Sequence, residues 1–273
     1  MTDLTSGDPS DLRSGIDRLG DRLAGTIWQR VEVVDSTGST NADLVARASE
    51  PDIVGTARIT TDQTAGRGRH SRVWEAPAGA QLAISAVLPV RGHTDTLGWL
   101  SLATGLAVAT AIEETTGLRA MLKWPNDVLI GDKKVSGILA EYVAATDSVP
   151  GGIAVVGTGF NTDMTADQLP VPTATSLRIE LGEPVDAAAL AVDYLRALGG
   201  LGWPDDLATI TRRYRDRCDT LGRRVRLILP GDDVRVGTAV DVDPDGRIVV
   251  RTDSGEQVSA TAADVVHLRP EDD

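Results

Sequence analysis

Two periodicities alternate along this chain, and the switches between them outline its elements. Leu82, Ile84, Ala86 and Leu88 place apolar side chains at every second position, which predicts a strand with one face buried. Residues 96–116 instead predict a long helix. Its apolar part, 96–112, is interrupted by Gly98, Ser101, Thr104, Gly105 and Thr110 and falls short of the roughly 20 apolar residues that span a bilayer, so a buried helix is expected. Shorter strands are predicted at 28–34, 56–61, 121–123, 128–130, 135–143 and 153–156, and an amphipathic helix at 44–48 behind the capping residues Ser39, Thr40 and Asn41. Two further helices are expected at 186–198 and 205–218. From Leu221 onward, short alternating strands at 225–229, 234–242 and 248–252 are separated by the turns Asp243-Pro244-Asp245-Gly246 and Asp253-Ser254-Gly255. The mixture lacks regular βαβ alternation, so the fold class is α+β. The expected organisation is a flexible leader at 1–27, a main domain at 28–219 and a small C-terminal β-barrel of the SH3 type at 220–273.

Composition narrows the functions. The formal net charge of −13 opposes general attraction to nucleic acid, whose binding rests on Lys and Arg displacing counterions. A dedicated DNA-binding role is therefore disfavoured. The single cysteine, Cys218, excludes a disulfide framework and a multi-thiolate metal site, and fits a reducing compartment. No basic-then-apolar segment opens the chain, so no secretory signal is read and the cytoplasm is the expected location. The cations are unevenly distributed: of 27, only Lys123, Lys133 and Lys134 are lysines, all within twelve positions. A chain that uses arginine elsewhere is expected to keep lysine where a compact, mobile charge is needed.

Candidate chemistry concentrates in two polar segments. Gly66-Arg67-Gly68-Arg69-His70-Ser71-Arg72, between Gln63 and Trp74, contains no acidic residue. Its glycines allow close backbone approach, and Arg67, Arg69 and Arg72 can hold phosphate or carboxylate through charge-assisted hydrogen bonds. Ser71 stands where a dinucleotide-binding G-x-G-x-x-G needs its third glycine, and no G-x-x-x-x-G-K-[ST] occurs. Any use of ATP must proceed without a Walker loop. The second segment, Lys123-Trp124-Pro125-Asn126-Asp127, offers Asn126 and Asp127 to ribose, phosphate or hydrated Mg²⁺, with Lys134 on the strand that returns beside them. A third string, Gly157-Thr158-Gly159-Phe160-Asn161, reads by itself as a strand end.

Taken in order, Ser39-Thr40-Asn41, Gln63 with the 66–74 loop, 123–127 with Lys134 and Gly137-Ile138-Leu139, and 157–161 resemble the motifs of the biotin–protein ligases over most of 28–270. The resemblance implies a mixed-sheet catalytic domain of the biotin/lipoate ligase type with an SH3-like C-terminal barrel. It implies an enzyme that joins biotin and ATP into biotinyl-5′-AMP, with Mg²⁺. Biotin then passes to a lysine of a biotin carboxyl carrier protein or domain of an acyl-CoA or pyruvate carboxylase. By resemblance, Ser39, Thr40, Asn41, Gln63, Gly66, Arg67, Gly68, Arg69, Lys134, Gly137 and Ile138 hold biotin. Arg69, Arg72, Trp74, Lys123, Asn126 and Asn161 contact ATP or the adenylate, and Asp127 is the candidate Mg²⁺ ligand. Lys134, Arg67 and Arg69 carry the catalysis. Ser71 departs from the family loop at one glycine. With only 1–27 before the first strand, the resemblance implies the monofunctional class without an N-terminal DNA-binding domain, a monomer or weak homodimer that engages neither DNA nor membrane. Two other readings remain: a lipoate–protein ligase of related fold, and a non-catalytic, nucleotide-responsive binding module.

Overall fold

In the computed structural model, which describes residues 9–229, 233–261 and 263–268, the chain opens with a helix where a flexible leader was expected. This helix, α1 (Pro9–Leu19), buries Leu12 and Ile16, and a 3₁₀ turn then buries Leu23. The leader expectation is corrected over these residues; positions 1–8 lie outside the described ones. The overall polarity of the segment suggested disorder, but Leu12, Ile16 and Leu19 recur at helical spacing and give one face to bury.

Strands β1 (Arg30–Val33) and β2 (Thr56–Thr60) pair in parallel, joined through helix α2 (Thr40–Ala46). A separate ribbon, β3 (Gly66–Arg67) with β4 (Val73–Trp74), carries the arginine loop between its strands. Then follow β5 (Gln81–Pro89), α3 (Leu100–Thr116), β6 (Met121–Lys123), β7 (Asp127–Ile130), β8 (Lys133–Val143) and β9 (Ile153–Asn161). The resulting mixed sheet has the order β1-β2-β5-β9-β8-β7-β6, antiparallel at every pair other than β1–β2.

The apolar alternation along β5 is buried on both sides. Leu82, Ile84, Ala86 and Leu88 join the main core beneath α3, whereas Val87 packs with Leu44, Ile53 and Val155 around α2. Ala83 and Ser85, which share the second face, line a cavity there. Among the described residues, the helical run of 23 residues from Thr94 to Thr116 is long and apolar enough to cross a membrane, but most of it is buried inside the protein. It is a core helix, as its interrupted apolar pattern predicted.

Helices α4 (Leu177–Leu181), α5 (Ala187–Gly199) and α6 (Leu207–Arg217) lead to the second sheet. The α1 helix lies against α5, with Gly15 on Ala188. Cys218 is buried after α6, and burial raises its thiol pKa, as expected of an inert thiol. Strands β10 (Arg224–Ile228), β11 (Val234–Val242), β12 (Ile248–Thr252), β13 (Gln257–Ala260) and β14 (Asp264–His267) form an antiparallel sheet in the order β13-β12-β11-β10-β14. Polar β13 and short β14 gave no clear apolar alternation in the sequence. The turn between β11 and β12 docks on the main domain: Trp99 Nε1 donates to Pro244 O at 2.7 Å, and Trp124 Nε1 donates to Gly246 O at 3.0 Å. One apolar cluster therefore continues from the main sheet into Val225, Leu227 and Val250.

Candidate active site

The cavity occupies about 390 Å³ above the α2 face of the main sheet. Its polar wall begins at the N-terminus of α2. Ser39 caps that helix by accepting from the Ala42 N–H at 3.4 Å, which places Thr40 and Asn41 on the first turn. The Thr40 N–H donates to Gln63 Oε1 at 3.0 Å, and its hydroxyl lies 2.7 Å from Ser85 Oγ. Ser85 in turn donates to Asn41 Oδ1 at 2.6 Å. Asn41 fits because its neighbour on β9 is Gly157, where an added Cβ would overlap the Asn41 amide. Both Asn41 amide protons are engaged, to Leu139 O at 3.2 Å and Glu141 Oε2 at 2.8 Å. Asn41, expected as a biotin contact, lines the cavity with its donors already used.

The arginine loop closes through the Gly68 N–H donating to Arg72 O at 2.7 Å. Its left-handed residue is His70, at φ 53°, so the tight turn falls one position before the unusual Ser71. Arg67 pairs with Glu141 at 3.0 Å, and Arg69 donates weakly to Asn126 Oδ1 at 3.4 Å. Burial lowers the pKa of Arg69 from the usual guanidinium range. Arg72 pairs with Asp264 of β14, which also lies 4.0 Å from His70 Nδ1. Trp74 rests on the β9 strand at Gly159, where a Cβ would press into the indole, and its Nε1 donates to Gln81 Oε1 at 3.0 Å.

Lys134 reaches this end of the cavity. Its Nζ is 2.6 Å from Asp127 Oδ1 and 5.7 Å from the centre of the Trp74 ring. The backbone is pinned on both sides: the Lys134 N–H donates to Thr173 O, and its carbonyl accepts from the Thr175 N–H, each at 2.8 Å. Lys133, one position earlier, is exposed. The adjoining turn is fixed by the Asn126 side chain, which donates to Ile138 O at 2.9 Å while the Ile138 N–H donates to Asn126 O at 3.0 Å.

Of the residues expected in the site, Ser39, Thr40, Gln63, Arg67, Gly68, Arg69, Arg72, Trp74, Lys123, Asp127, Gly137 and Ile138 line this one cavity, together with Asn41, Asn126 and Lys134. Two do not. Asn161 is buried beside the cavity, with its amide donating to Thr175 O at 2.8 Å. Gly66 lies behind the wall, hemmed in by Gln63 and the Trp74 carbonyl, so only a residue without a side chain fits there. The wall residues that were missed include Ser85, and Ile228, Asp264 and Val265 from the second sheet. Ser85 sat on a strand read only for its apolar alternation. The other three come from strands far away in sequence, which no local pattern could bring to the loop. Among the described residues no group of three or more His, Cys, Asp or Glu is arranged to hold a metal by itself.

Comparison with known proteins places this geometry. Residues 32–161 match the biotin/lipoate A/B protein ligase family, and residues 220–268 match the biotin protein ligase C-terminal domain. The chain is 42% identical over 271 residues to a biotin–[acetyl-CoA-carboxylase] ligase of Mycobacterium tuberculosis, covering 96% of this chain and 97% of that protein. An enzyme of the same description from Paracoccus denitrificans is 34% identical, with 83% and 96% covered. Among solved structures, biotin protein ligase from Aquifex aeolicus in complex with biotin and ATP superposes with a TM-score of 0.74 at 25% identity, covering 88% of this chain and all of that one. A cavity walled by the α2 turn, the arginine ribbon and Lys134, on a chain alike to these enzymes from end to end, belongs to the biotin/lipoate A/B protein ligase family, and within it to the biotin protein ligases.

Proposed function

We propose that this chain activates biotin with ATP to biotinyl-5′-AMP, releasing pyrophosphate, and then transfers the biotinyl group to a lysine of a biotin carboxyl carrier protein or domain. The observation that carries the reading is the seat of Lys134. A flexible ammonium sits beside Asp127 and Trp74, in the same cavity as a hydrogen-bonded polar wall and Arg69. The first step must bring the biotin carboxylate to the α-phosphate. Two such charges about 4 Å apart repel by ~4 kcal/mol at an effective dielectric of 20. The Lys134 ammonium and the Arg67 and Arg69 guanidinium groups offset that repulsion and stabilise the charge that develops on the phosphoryl oxygens. The carboxylate oxygen forms a bond to the α-phosphorus as the bond to pyrophosphate breaks. In the second step the carrier lysine amine attacks the acyl carbon, and AMP leaves.

The polar wall of Ser39, Thr40, Gln63 and Ser85 suits the ring end of biotin, with Gly137 and Ile138 along its apolar side. Lys123, Asn126, Arg72 and Trp74 suit the nucleotide. Mg²⁺ commonly takes one or two carboxylates and completes its shell with water and substrate phosphates. Asp127, the single carboxylate beside Lys134, fits such a metal carried in with ATP, and the metal would neutralise phosphate charge. On this reading residues 28–219 perform activation and 220–273 close the mouth of the cavity. The protein works in the cytoplasm as a monomer or weak homodimer, without DNA or membrane as partner.

The test is to incubate the protein with Mg·ATP, a biotin carrier domain, and either biotin or lipoate, and to weigh the carrier. A mass gain with biotin supports the reading. A gain with lipoate alone moves the chain to the lipoate ligases, and ATP binding without pyrophosphate release supports a non-catalytic module.

A further inference from the structure

Glu141 lies on β8 behind the cavity wall and touches both halves of the site. Its Oε2 accepts from Asn41 Nδ2 at 2.8 Å and from Arg67 Nη2 at 3.0 Å. A carboxylate only accepts, as does the Leu139 carbonyl on the same Asn41 nitrogen, so the two together fix the sense of the bonds that follow. With Nδ2 turned to Glu141 and Leu139 O, Asn41 presents Oδ1 to Ser85. Ser85 must then donate, and its oxygen accepts from the Thr40 hydroxyl, a proton shared with Gln63 Oε1 at 3.1 Å. The Gln63 oxygen is occupied by Thr40, which leaves Nε2 as the donor of that side chain. The directed array therefore runs from Thr40 through Ser85 and Asn41 to Glu141, and Arg67 of the loop meets the same carboxylate.

We propose that Glu141 is a positioning residue for the acid half of the reaction. With Leu139 O, its carboxylate holds the Asn41 amide in one sense, and it alone ties that wall to Arg67. A neutral amide in its place can turn either end toward Asn41, so the longer bond to Leu139 O is left to hold the sense of the array, and the ion pair to Arg67 is lost as well. The inference rests on the ligase reading above, and it separates from that reading experimentally.

Pyrophosphate release is measured with biotin and ATP varied separately, for the parent, Glu141→Gln, Glu141→Asp, Arg67→Met and the Glu141→Gln/Arg67→Met pair. Glu141→Gln is expected to raise the biotin KM by about tenfold or more while the ATP KM stays within about twofold, the size associated with a lost charge-assisted hydrogen bond. Glu141→Asp, which keeps the charge, should recover part of the loss. In the Arg67→Met background the same change should have a smaller effect, because one of its two partners is already gone. A biotin KM unaltered by Glu141→Gln overturns the proposal. So do equal rises in both KM values with a lowered Tm, which indicate general loosening, and so does simple multiplication of the two single effects. A parent that releases no biotin-dependent pyrophosphate overturns the ligase reading and this inference together, whereas an active parent with an indifferent Glu141→Gln overturns the inference alone.

Discussion

Thr40, Asn41 and Ser85 on the polar wall are 3%, 4% and 0% exposed and bond to one another, whereas the side chains of Arg67 and Arg72 on the ribbon are 46% and 64% exposed and lean on carboxylates from other strands. The wall is complete before any ligand arrives, since buried polar groups must find partners or carry a large desolvation cost. The loop is held by surface ion pairs, each worth at most ~1 kcal/mol, so the Arg72 pair with Asp264 can give way to phosphate with little penalty. One region is built for fixed recognition and the other for exchange of charge partners.

Lys134 stands where the two meet, and its removal is expected to have the largest effect. Lys134→Met should lower biotin-dependent pyrophosphate release by ~10²–10³, the scale of losing one stabilising charge at a developing anion, with Lys134→Arg between it and the parent. Transfer from preformed biotinyl-adenylate should suffer less. If both half-reactions fall equally, the assignment of Lys134 to activation fails.

On the wall, Gly157→Ala forces a Cβ into the Asn41 amide, which is buried and bonded on all sides. Overpacking of this kind costs ~1–3 kcal/mol, so the biotin KM should rise by about tenfold or more while the adenylate, once formed, is retained as long as in the parent. A shortened adenylate lifetime in this variant would show that wall and loop are not separable.

The loop side is probed by Arg69→Gly, which removes a donor and adds backbone freedom. Adenylate should escape about tenfold faster and acylate bystander lysines, read by mass spectrometry of an added inert protein, with the biotin KM nearly unaltered. Retention equal to the parent's would remove Arg69 from the gating role.

Acid should act on the loop's support before it acts on the wall. His267, on the same strand as Asp264, has its Nε2 3.1 Å from Thr220 Oγ1, and Thr220 in turn accepts from the Trp124 N–H at 3.0 Å. Burial, with Lys123 nearby, pushes the His267 pKa down from 6.5 to about 4. The unfolded chain therefore binds the extra proton first. The stabilisation is fully present above pH 6.5 and is lost as pH falls toward 4, by ~1–2 kcal/mol once partial exposure is allowed for. His267→Asn should flatten that part of the stability curve in thermal melts from pH 7 to 4; an unaltered slope would put the sensitivity elsewhere.

The smallest effect is expected from Lys133→Ala. The side chain is exposed, so both half-reactions should stay within about twofold of the parent. A large loss would place the wrong lysine of the hairpin in the site.

Much of this was legible in local sequence. The alternation of β5, the long apolar α3 and the Ser39 cap each follow from neighbouring residues, and the cluster of three lysines, with the family resemblance, pointed to Lys134 before any coordinates. The α1 helix was missed because mean polarity was weighed ahead of the spacing of Leu12 and Ile16. The length of β9 was underestimated, because the strand runs five residues beyond the apolar stretch that marked it and carries the Asn161 amide to Thr175.

By itself the sequence determined which chemistry was available: an acid-free arginine loop, a few lysines, and small polar residues at a helix start. Each is a statement about residue type and short-range spacing, which the chain carries whether folded or not. Tertiary structure alone decided which charges meet. Arg72 and Asp264 are 192 residues apart in sequence, and Asn41 and Glu141 come from different elements of the main domain. Such pairings depend on sheet order and register, which are set by burial of the whole core, and no local window contains that information.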